Sequence, residues 1–211
     1  MLEHILDGGQ MMIPLVVLSI LSLAVIIDRL WAFRAAESDS SKLKQTVIEE
    51  MQANNIEAAM QACESTKGPV ASVLLEGLVK FKKLQVLGCS MTEIEGNVTK
   101  TMSDYAPHIV QALEKRLNIL TMIASIAPLL GMTGTVTGMI ASFGSMSSGL
   151  DAAKVSVGIS EALVTTAGGL IVAIPAVIAH NIFKKRIDKF ILDIEESATR
   201  LIDTITLEHR K

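Results

Sequence analysis

The sequence predicts an all-α integral membrane protein, a bundle of three transmembrane helices with long cytoplasmic helical extensions. The first observation is that the apolar residues form long blocks, while most of the 19 basic and 22 acidic residues lie between the blocks. The second is that two blocks exceed the roughly 20 residues that a helix needs to cross the hydrocarbon core, and the third approaches that length. Half of the residues are hydrophobic. A soluble domain can share that composition, so the placement of the apolar residues decides the class.

The first predicted span covers residues 11–28 and follows an N-terminal tail of residues 1–10. The block carries no charge before Asp28. Its uncharged length, residues 11–27, is near the lower limit for a membrane helix. A secretory signal peptide is the alternative interpretation. However, the tail has no basic residue, and the block is followed by Asp28 and Arg29 instead of a small-residue cleavage site. We therefore predict a span that is retained.

The second and third predicted spans cover residues 117–143 and 158–183. The second contains no charge, and the third contains only Glu161. Each is long enough to cross a bilayer with some tilt. Pro128 and Pro175 lie inside them. Membrane helices tolerate proline because neighbouring groups satisfy the carbonyls that it frees.

The basic residues at the ends of the spans predict the orientation. The N-terminal tail has no Lys or Arg, and the loop of residues 144–157 has only Lys154, so both are expected outside the cytoplasm. Residues 29–116 and 184–211 are expected inside, where the flanking basic residues lie: Arg29, Arg34, Lys115, Arg116, Lys184, Lys185 and Arg186. All three spans agree with this assignment.

The cytoplasmic segments read as helices. Asn54–Asn55 is predicted to cap one helix, and Gly68–Pro69 to open another that runs to about Leu87. Ser90 and Glu93 have the spacing of a capping box, after which a helix is expected to continue through Arg116, kinked at Pro107. Beyond the third span, apolar residues recur at steps of three and four and predict a packed stripe: Ile187, Phe190, Ile191, Ile194, Ala198, Leu201, Ile202 and Ile205.

The composition excludes several function classes. A net charge of −3 and 3% aromatic residues give no basis for nucleic-acid binding. The two cysteines form no CxxC pair and the four histidines are scattered, so we expect no metal and no cofactor. We also expect no enzyme activity. An intramembrane hydrolase needs a paired nucleophile and base, whereas Glu161 and His180 would lie roughly 28 Å apart along one helix.

The second span contains small and hydroxyl-bearing residues at helical spacing. Gly131, Gly134 and Gly138 include a GxxxG pair, which lets helix backbones approach closely in lipid. Thr133 and Thr135 add hydroxyls that can bond across helices or line a wet path. A phosphate-binding loop is rejected, because no lysine follows the glycines and they lie inside an apolar block.

The third span places a carboxylate in an apolar helix. Glu161 would cost roughly 3 kcal/mol or more near the bilayer centre, so such a residue normally faces protein or water. Thr165 lies one turn away on nearly the same face, Thr166 borders that face, and Gly169 again permits close packing. This polar stripe predicts an ion path. The alternative is an interfacial or interhelical hydrogen bond, because Glu161 lies only three residues into the predicted span.

Two motifs carry a resemblance to a known family. In the second span the run is Pro128-Leu129-Leu130-Gly131 followed by Gly134-Thr135-Val136-Thr137-Gly138. In the third it is Gly158-Ile159-Ser160-Glu161-Ala162-Leu163, then Thr166, Gly169-Leu170 and Ala173-Ile174-Pro175-Ala176. Together they resemble the signatures of the MotA/TolQ/ExbB proton channel family. Three spans and the Gly-Thr-Val-x-Gly form favour ExbB or TolQ over the flagellar stator subunit MotA, and the short chain is most like ExbB.

The resemblance implies a homopentamer in the inner membrane of a Gram-negative bacterium, surrounded by membrane lipids. Its second and third spans would enclose a dimer of an ExbD-like single-span partner, and the work would pass to a TonB-like protein. Thr135 and Thr166 would face the partner's aspartate, with Glu161 towards the periplasmic end. The chain departs from the family pattern at Met132–Thr133, at Thr165, where alanine is common, and at His180, where tyrosine is frequent. A purely structural scaffold, in which these polar residues only join helices, is the rival hypothesis.

Overall fold

A computed structural model of the chain describes residues 10–37, 40–146 and 152–208, and within these ranges it contains helices and short connections but no strand. The predicted all-α class is therefore confirmed. The helices are α1 (Met12–Glu37), α2 (Ser40–Gln52), α3 (Ile56–Ser65), α4 (Pro69–Val86), α5 (Met91–Glu114), α6 (Leu117–Met146) and α7 (Ala152–Glu208).

The chain divides into two compact units. Unit 1 comprises Met1–Arg29 and Arg116–Phe183, and unit 2 comprises Leu30–Lys115 and Lys184–Lys211. The divisions within α1 and α7 fall at basic residues that follow the apolar blocks. Each unit is therefore built from one class of sequence: apolar helices in unit 1 and amphipathic helices in unit 2.

Unit 1 contains the membrane-spanning part of the protein. Three described helices, α1, α6 and α7, contain stretches long and apolar enough to cross a membrane. Large apolar side chains cover their outer faces, including Ile13, Ile20, Leu129, Ile140, Ile171 and Ile178. Exposure of so continuous an apolar surface to water is unfavourable, so these faces suit contact with lipid or with other membrane helices. The protein is a multi-pass membrane protein.

The helices run beyond the predicted spans. α6 continues to Met146 and α7 begins at Ala152, so most of the predicted loop of residues 144–157 is helical where the structure describes it. Residues 147–151 and the predicted tail up to residue 9 lie outside the described residues. A helix can continue past the edge of the hydrocarbon core, so the membrane boundaries themselves remain predictions.

Unit 2 forms a soluble-type helical core. Residues from α2 to α5 and from the C-terminal part of α7 share one buried cluster, which includes Val47, Leu78, Val98 and Leu201. The apolar stripe predicted after the third span supplies part of this core, because Ile187, Phe190, Ile194, Leu201 and Ile205 are all buried. Phe190 also stacks on Phe33 of α1, with ring centroids 6.0 Å apart.

The local helix signals in unit 2 are confirmed. The Asn55 side chain accepts a bond of 3.2 Å from the Ala58 amide, as expected for an N-cap. The Glu93 carboxylate accepts from the Ser90 amide at 3.0 Å and from the Ser90 hydroxyl at 2.8 Å, the reciprocal half of the predicted capping box. Pro69 begins α4, which ends within one residue of the predicted position.

The prediction of an unbroken helix through Arg116 was wrong. α5 passes through Pro107 and ends at Glu114, and a two-residue turn precedes α6. Lys115 keeps helical dihedral angles and its amide still bonds to the Gln111 carbonyl at 3.0 Å. The chain therefore changes helix at the two basic residues with which the predicted second span begins.

Candidate functional site: the α6–α7 seam

The contact between α6 and α7, here called the seam, is built from small residues. It contains Ala127, Gly131, Gly134, Gly138 and Ser142 of α6 and Gly158, Ala162, Thr165, Thr166 and Gly169 of α7. A Cβ atom added at Gly169 would lie 2.6 Å from the Ala127 carbonyl oxygen and 3.2 Å from the Gly131 Cα atom. The two backbones are thus in direct contact, which only glycine permits at this position. Close backbone approach increases van der Waals packing, which is one of the forces that drive helix association in lipid.

The predicted packing glycines of α6 all lie at this seam. At Gly131 an added Cβ atom would lie 3.1 Å from the Thr166 Cα atom. At Gly134 it would lie 2.9 Å from the Thr165 Cβ atom, and at Gly138 it would lie 3.0 Å from the Ala162 Cβ atom. The two predicted prolines lie inside continuous helix, Pro128 in α6 and Pro175 in α7. Pro128 is half-buried, whereas Pro175 is exposed.

Thr135 and Thr166 meet across the seam. The Thr166 hydroxyl donates to the Gly131 carbonyl at 3.0 Å and lies 3.4 Å from the Thr135 hydroxyl oxygen. The Thr135 hydroxyl in turn donates to the Met132 carbonyl at 2.7 Å. Each hydroxyl has one proton and two lone pairs, so both oxygens keep acceptor capacity after these bonds form. Two half-buried hydroxyls from different helices therefore form one interhelical polar contact.

Thr165 occupies a different environment. Its side chain is only 1% exposed and its methyl group packs against Gly134, while its hydroxyl donates to the Glu161 carbonyl at 2.9 Å. The sequence grouped Thr165 with Glu161 on one polar face. In the structure Thr165 lies inside the seam, and Glu161 is half-buried.

Thr133 lies on an exposed part of α6. Its hydroxyl donates to the Leu129 carbonyl of its own helix at 2.8 Å. The predicted ion-path residues thus do not form one continuous stripe: Thr135 and Thr166 meet, Thr165 lies within the seam, and Thr133 of α6 and Glu161 of α7 lie separately, nearer the surface of the chain. Of these residues, only Thr135 and Thr166 join their hydroxyls across two helices.

A second polar contact across α6 and α7 was missed from the sequence. Thr121 Oγ1 lies 3.1 Å from His180 Nδ1. Thr121 lies fourteen residues before Thr135, and His180 lies fourteen residues after Thr166. Fourteen residues are close to four helical turns, so this contact lies on the same edge of the seam as the threonine pair. The matching fourteen-residue spacing in the two helices is a sequence signal for this contact, but it identifies the contact only once the antiparallel register of α6 and α7 is known.

An ionic cluster joins the end of the apolar block in α1 to the start of α6. Arg116 Nη1 lies 2.7 Å from both carboxylate oxygens of Asp28. Arg29 adds bonds from Nε at 3.1 Å and Nη2 at 3.0 Å to Asp28 Oδ2. The contacts are charge-assisted, but the Asp28 and Arg116 side chains are largely exposed, so they give a modest link between the two helix ends. Two of the basic residues that predict orientation are therefore paired with an acid.

The described ranges contain no group of three or more His, Cys, Asp or Glu side chains that could hold a metal ion.

Comparison with known proteins places the seam within a recognised family segment. The family model described as the MotA/TolQ/ExbB proton channel family matches residues 65–196. This range contains both α6 and the membrane-spanning part of α7, with every residue of the seam.

Individual relatives carry the ExbB and TolQ names. The chain is 32% identical over 182 residues to the ExbB-like 3 biopolymer transport protein of Synechocystis sp., covering 84% of this chain and 81% of the relative. It is 28% identical over 202 residues to the Tol-Pal system protein TolQ of Haemophilus influenzae, covering 93% of this chain and 86% of the relative. It is 47% identical over 78 residues to the biopolymer transport protein ExbB of Helicobacter pylori, covering 36% of this chain and 54% of the relative.

Proposed function

Because this chain belongs to the MotA/TolQ/ExbB proton channel family, we propose that it is the multi-span subunit of an ExbB-type, proton-driven motor in a bacterial inner membrane. Five copies would surround a dimer of an ExbD-like single-span partner. Protons passing through the complex would move the partner, which would energise a TonB-like protein and outer-membrane transport. The observation that carries this proposal is the contact between the Thr135 and Thr166 hydroxyls across the seam.

Paired hydroxyls suit the proposed path because they do not titrate near neutral pH. A threonine both donates and accepts, so it can solvate a proton carrier or the partner's carboxylate without holding the proton permanently. A carboxylate is costly in hydrocarbon and needs such partners. Thr135 and Thr166 are held by bonds to backbone carbonyls, which fixes the oxygens in place.

The driving force is sufficient for mechanical work. One charge that crosses 100 mV releases about 2.3 kcal/mol, which is about four times the thermal energy RT at 25 °C. A few protons therefore release enough free energy to drive a conformational movement of the partner. The proposed orientation places the N-terminus in the periplasm and the C-terminus in the cytoplasm. It is supported by the basic residues that follow the apolar parts of α1 and α7. Glu161, near the start of α7, would then lie towards the periplasmic entrance.

The test replaces a hydroxyl by a methyl group of nearly the same volume. Thr135→Val and Thr166→Val are expected to assemble at normal yield but to abolish growth that depends on iron-siderophore uptake in a strain lacking the native gene. Glu161→Ala is expected to give the same loss. Thr101→Val is the matched control, because Thr101 is a threonine of unit 2 whose hydroxyl bonds to the Asn97 carbonyl of its own helix.

Two results would separate this proposal from its rival. Normal growth of the Thr135, Thr166 and Glu161 variants would refute the pore assignment. A purely structural scaffold predicts that complex yield and thermal stability fall in parallel with growth. Normal yield with lost growth would exclude that scaffold.

A TolQ-type function is the second candidate. The TolQ relative of Haemophilus influenzae aligns over 93% of this chain, which is more than the ExbB relative of Helicobacter pylori covers. Expression in strains lacking either system distinguishes the two. Restoration of detergent resistance without restoration of siderophore uptake would replace the ExbB assignment with TolQ.

A further inference from the structure

We propose that His180 and Thr121 form a second proton-transfer site, on the same path as Thr135 and Thr166 and towards the cytoplasmic end of the seam. The inference rests on the proposed function and deepens it, because it names where protons leave. The contact that carries it is the 3.1 Å distance between Thr121 Oγ1 and His180 Nδ1. His180 is half-buried, and Thr121 is exposed on the single chain.

The second site is aligned with the first. Fourteen residues separate the two threonines of α6, and fourteen separate Thr166 from His180 in α7. At 1.5 Å per residue the two polar contacts are about 21 Å apart, on one edge of two helices that pack side by side. Ser125 continues the same side of α6 one turn after Thr121, and its hydroxyl donates to the Thr121 carbonyl at 3.0 Å.

Imidazole supplies chemistry that a threonine lacks. It accepts a proton at one ring nitrogen and releases one from the other, so it relays protons near neutral pH. In the proposed step a hydronium ion arriving along the path gives up one O–H proton to Nε2 and becomes water, while the Nδ1 proton passes to the Thr121 oxygen. The Thr121 hydroxyl then releases its own proton, which otherwise points to the Leu117 carbonyl at 3.5 Å. That proton passes on to water, and return of the ring to its first tautomer resets the site. Protons are neither consumed nor produced.

Charged residues lie towards both ends of the helices that carry the site, and on α7 the first of them is Lys184, four residues and about one turn after His180. In the described part of unit 1, Asp28, Arg29 and Arg116 lie beyond the start of α6 and bond to one another. Glu161 and Lys154 lie nineteen and twenty-six residues before His180 in α7, towards the opposite end of the helix. No carboxylate is bonded to His180 among the described residues.

The experiment measures proton flux in inverted membrane vesicles from cells that express the full chain with its native partner. His180→Ala and Thr121→Val are compared with Thr166→Val. His108→Ala is the matched control, since His108 is an exposed histidine in α5 of unit 2. We expect His180→Ala to slow flux about a hundredfold or more, since a positioned proton-transfer group typically contributes about 10²–10⁴-fold. Free imidazole in the buffer should raise the proton flux of His180→Ala several-fold, because a diffusible base can replace the missing ring. Imidazole should not restore Thr166→Val.

Each outcome has a defined meaning. Wild-type flux in His180→Ala together with loss in Thr166→Val would overturn the second site and leave the proposed function intact. Slow flux that imidazole does not restore would also overturn it, because a merely structural histidine gives that result. Wild-type flux in Thr166→Val would refute the proposed function itself.

Discussion

The close approach of α6 and α7 at Gly169 gives the sharpest prediction about stability. In Gly169→Ala the new Cβ atom would lie 2.6 Å from the Ala127 carbonyl oxygen. Ordinary carbon–oxygen contacts are about 3.3 Å or longer, so the helices must separate by roughly 0.7 Å. The obstructing atom belongs to the backbone, so no change of rotamer can relieve the clash.

The cost follows from this displacement. Overpacking a tight contact costs about 1–3 kcal/mol. A shift of this size also stretches the 3.0 Å bond from Thr166 to the Gly131 carbonyl beyond useful length. Such an interhelical bond contributes about 0.6 kcal/mol in membrane proteins. The sum is about 1.6–3.6 kcal/mol, which corresponds to a fall in Tm of about 3–14 °C for a chain of this size.

Gly168→Ala is the matched control for this measurement. Its added Cβ atom would meet the Met12 Sδ atom at 3.3 Å and the Met12 Cε atom at 3.5 Å. These atoms end a flexible side chain that can move aside, so we expect a Tm change of at most a few degrees. Both variants would be purified in detergent and melted under identical conditions. Equal Tm values for the two variants would refute the argument that backbone contact at the seam determines its stability.

Three further predictions concern unit 2. Burial, aided by the nearby Glu64 charge, raises the pKa of the Cys63 thiol to about 12. A maleimide at pH 8 should therefore label Cys89 only. Mass spectrometry of the intact Cys89→Ser variant should show no rapid labelling. Lys44→Ala should lower Tm because it removes a mostly buried ammonium that pairs with Asp193 and Glu196. Lys82→Ala breaks an exposed pair and should change Tm less, and the reverse ranking would contradict the burial argument. The Ser90 hydroxyl and amide hold the pKa of Glu93 below its usual value. The stability that this carboxylate contributes is therefore present above its unfolded pKa and is lost as pH falls through the folded pKa. The Tm of Glu93→Gln should be below that of the wild type near neutral pH and should equal it at acid pH.

The sequence predicted most of the fold because its signals are local. Apolar blocks specify α1, α6 and α7, and a capping residue or proline specifies the starts of α3, α4 and α5. The break at Lys115 escaped prediction because helical dihedral angles persist there and no glycine or proline marks the turn. Such a break is set by the surrounding contacts and has no local signal.

The candidate site was less predictable, because its geometry depends on register between helices. A helical wheel of α7 places Thr165 and Glu161 on one face, but it cannot show that Gly134 receives the Thr165 methyl group. The contact between Thr121 and His180 likewise joins residues 59 positions apart. Only the antiparallel packing of α6 on α7 brings them together, so spacing within either helix was insufficient alone.

The cluster of Asp28, Arg29 and Arg116 has a consequence for biogenesis. Asp28 and Arg116 are separated by 88 positions in the chain, so Arg116 has not been synthesised when the first span leaves the ribosome. Until then Asp28 has its neighbour Arg29 within reach, and the link to α6 is completed only after the second span follows. Substitution of Asp28 should therefore allow the first helix to insert but delay maturation into a protease-resistant form. The ion pair between Asp28 and Arg116 can therefore form only after the second span has been synthesised.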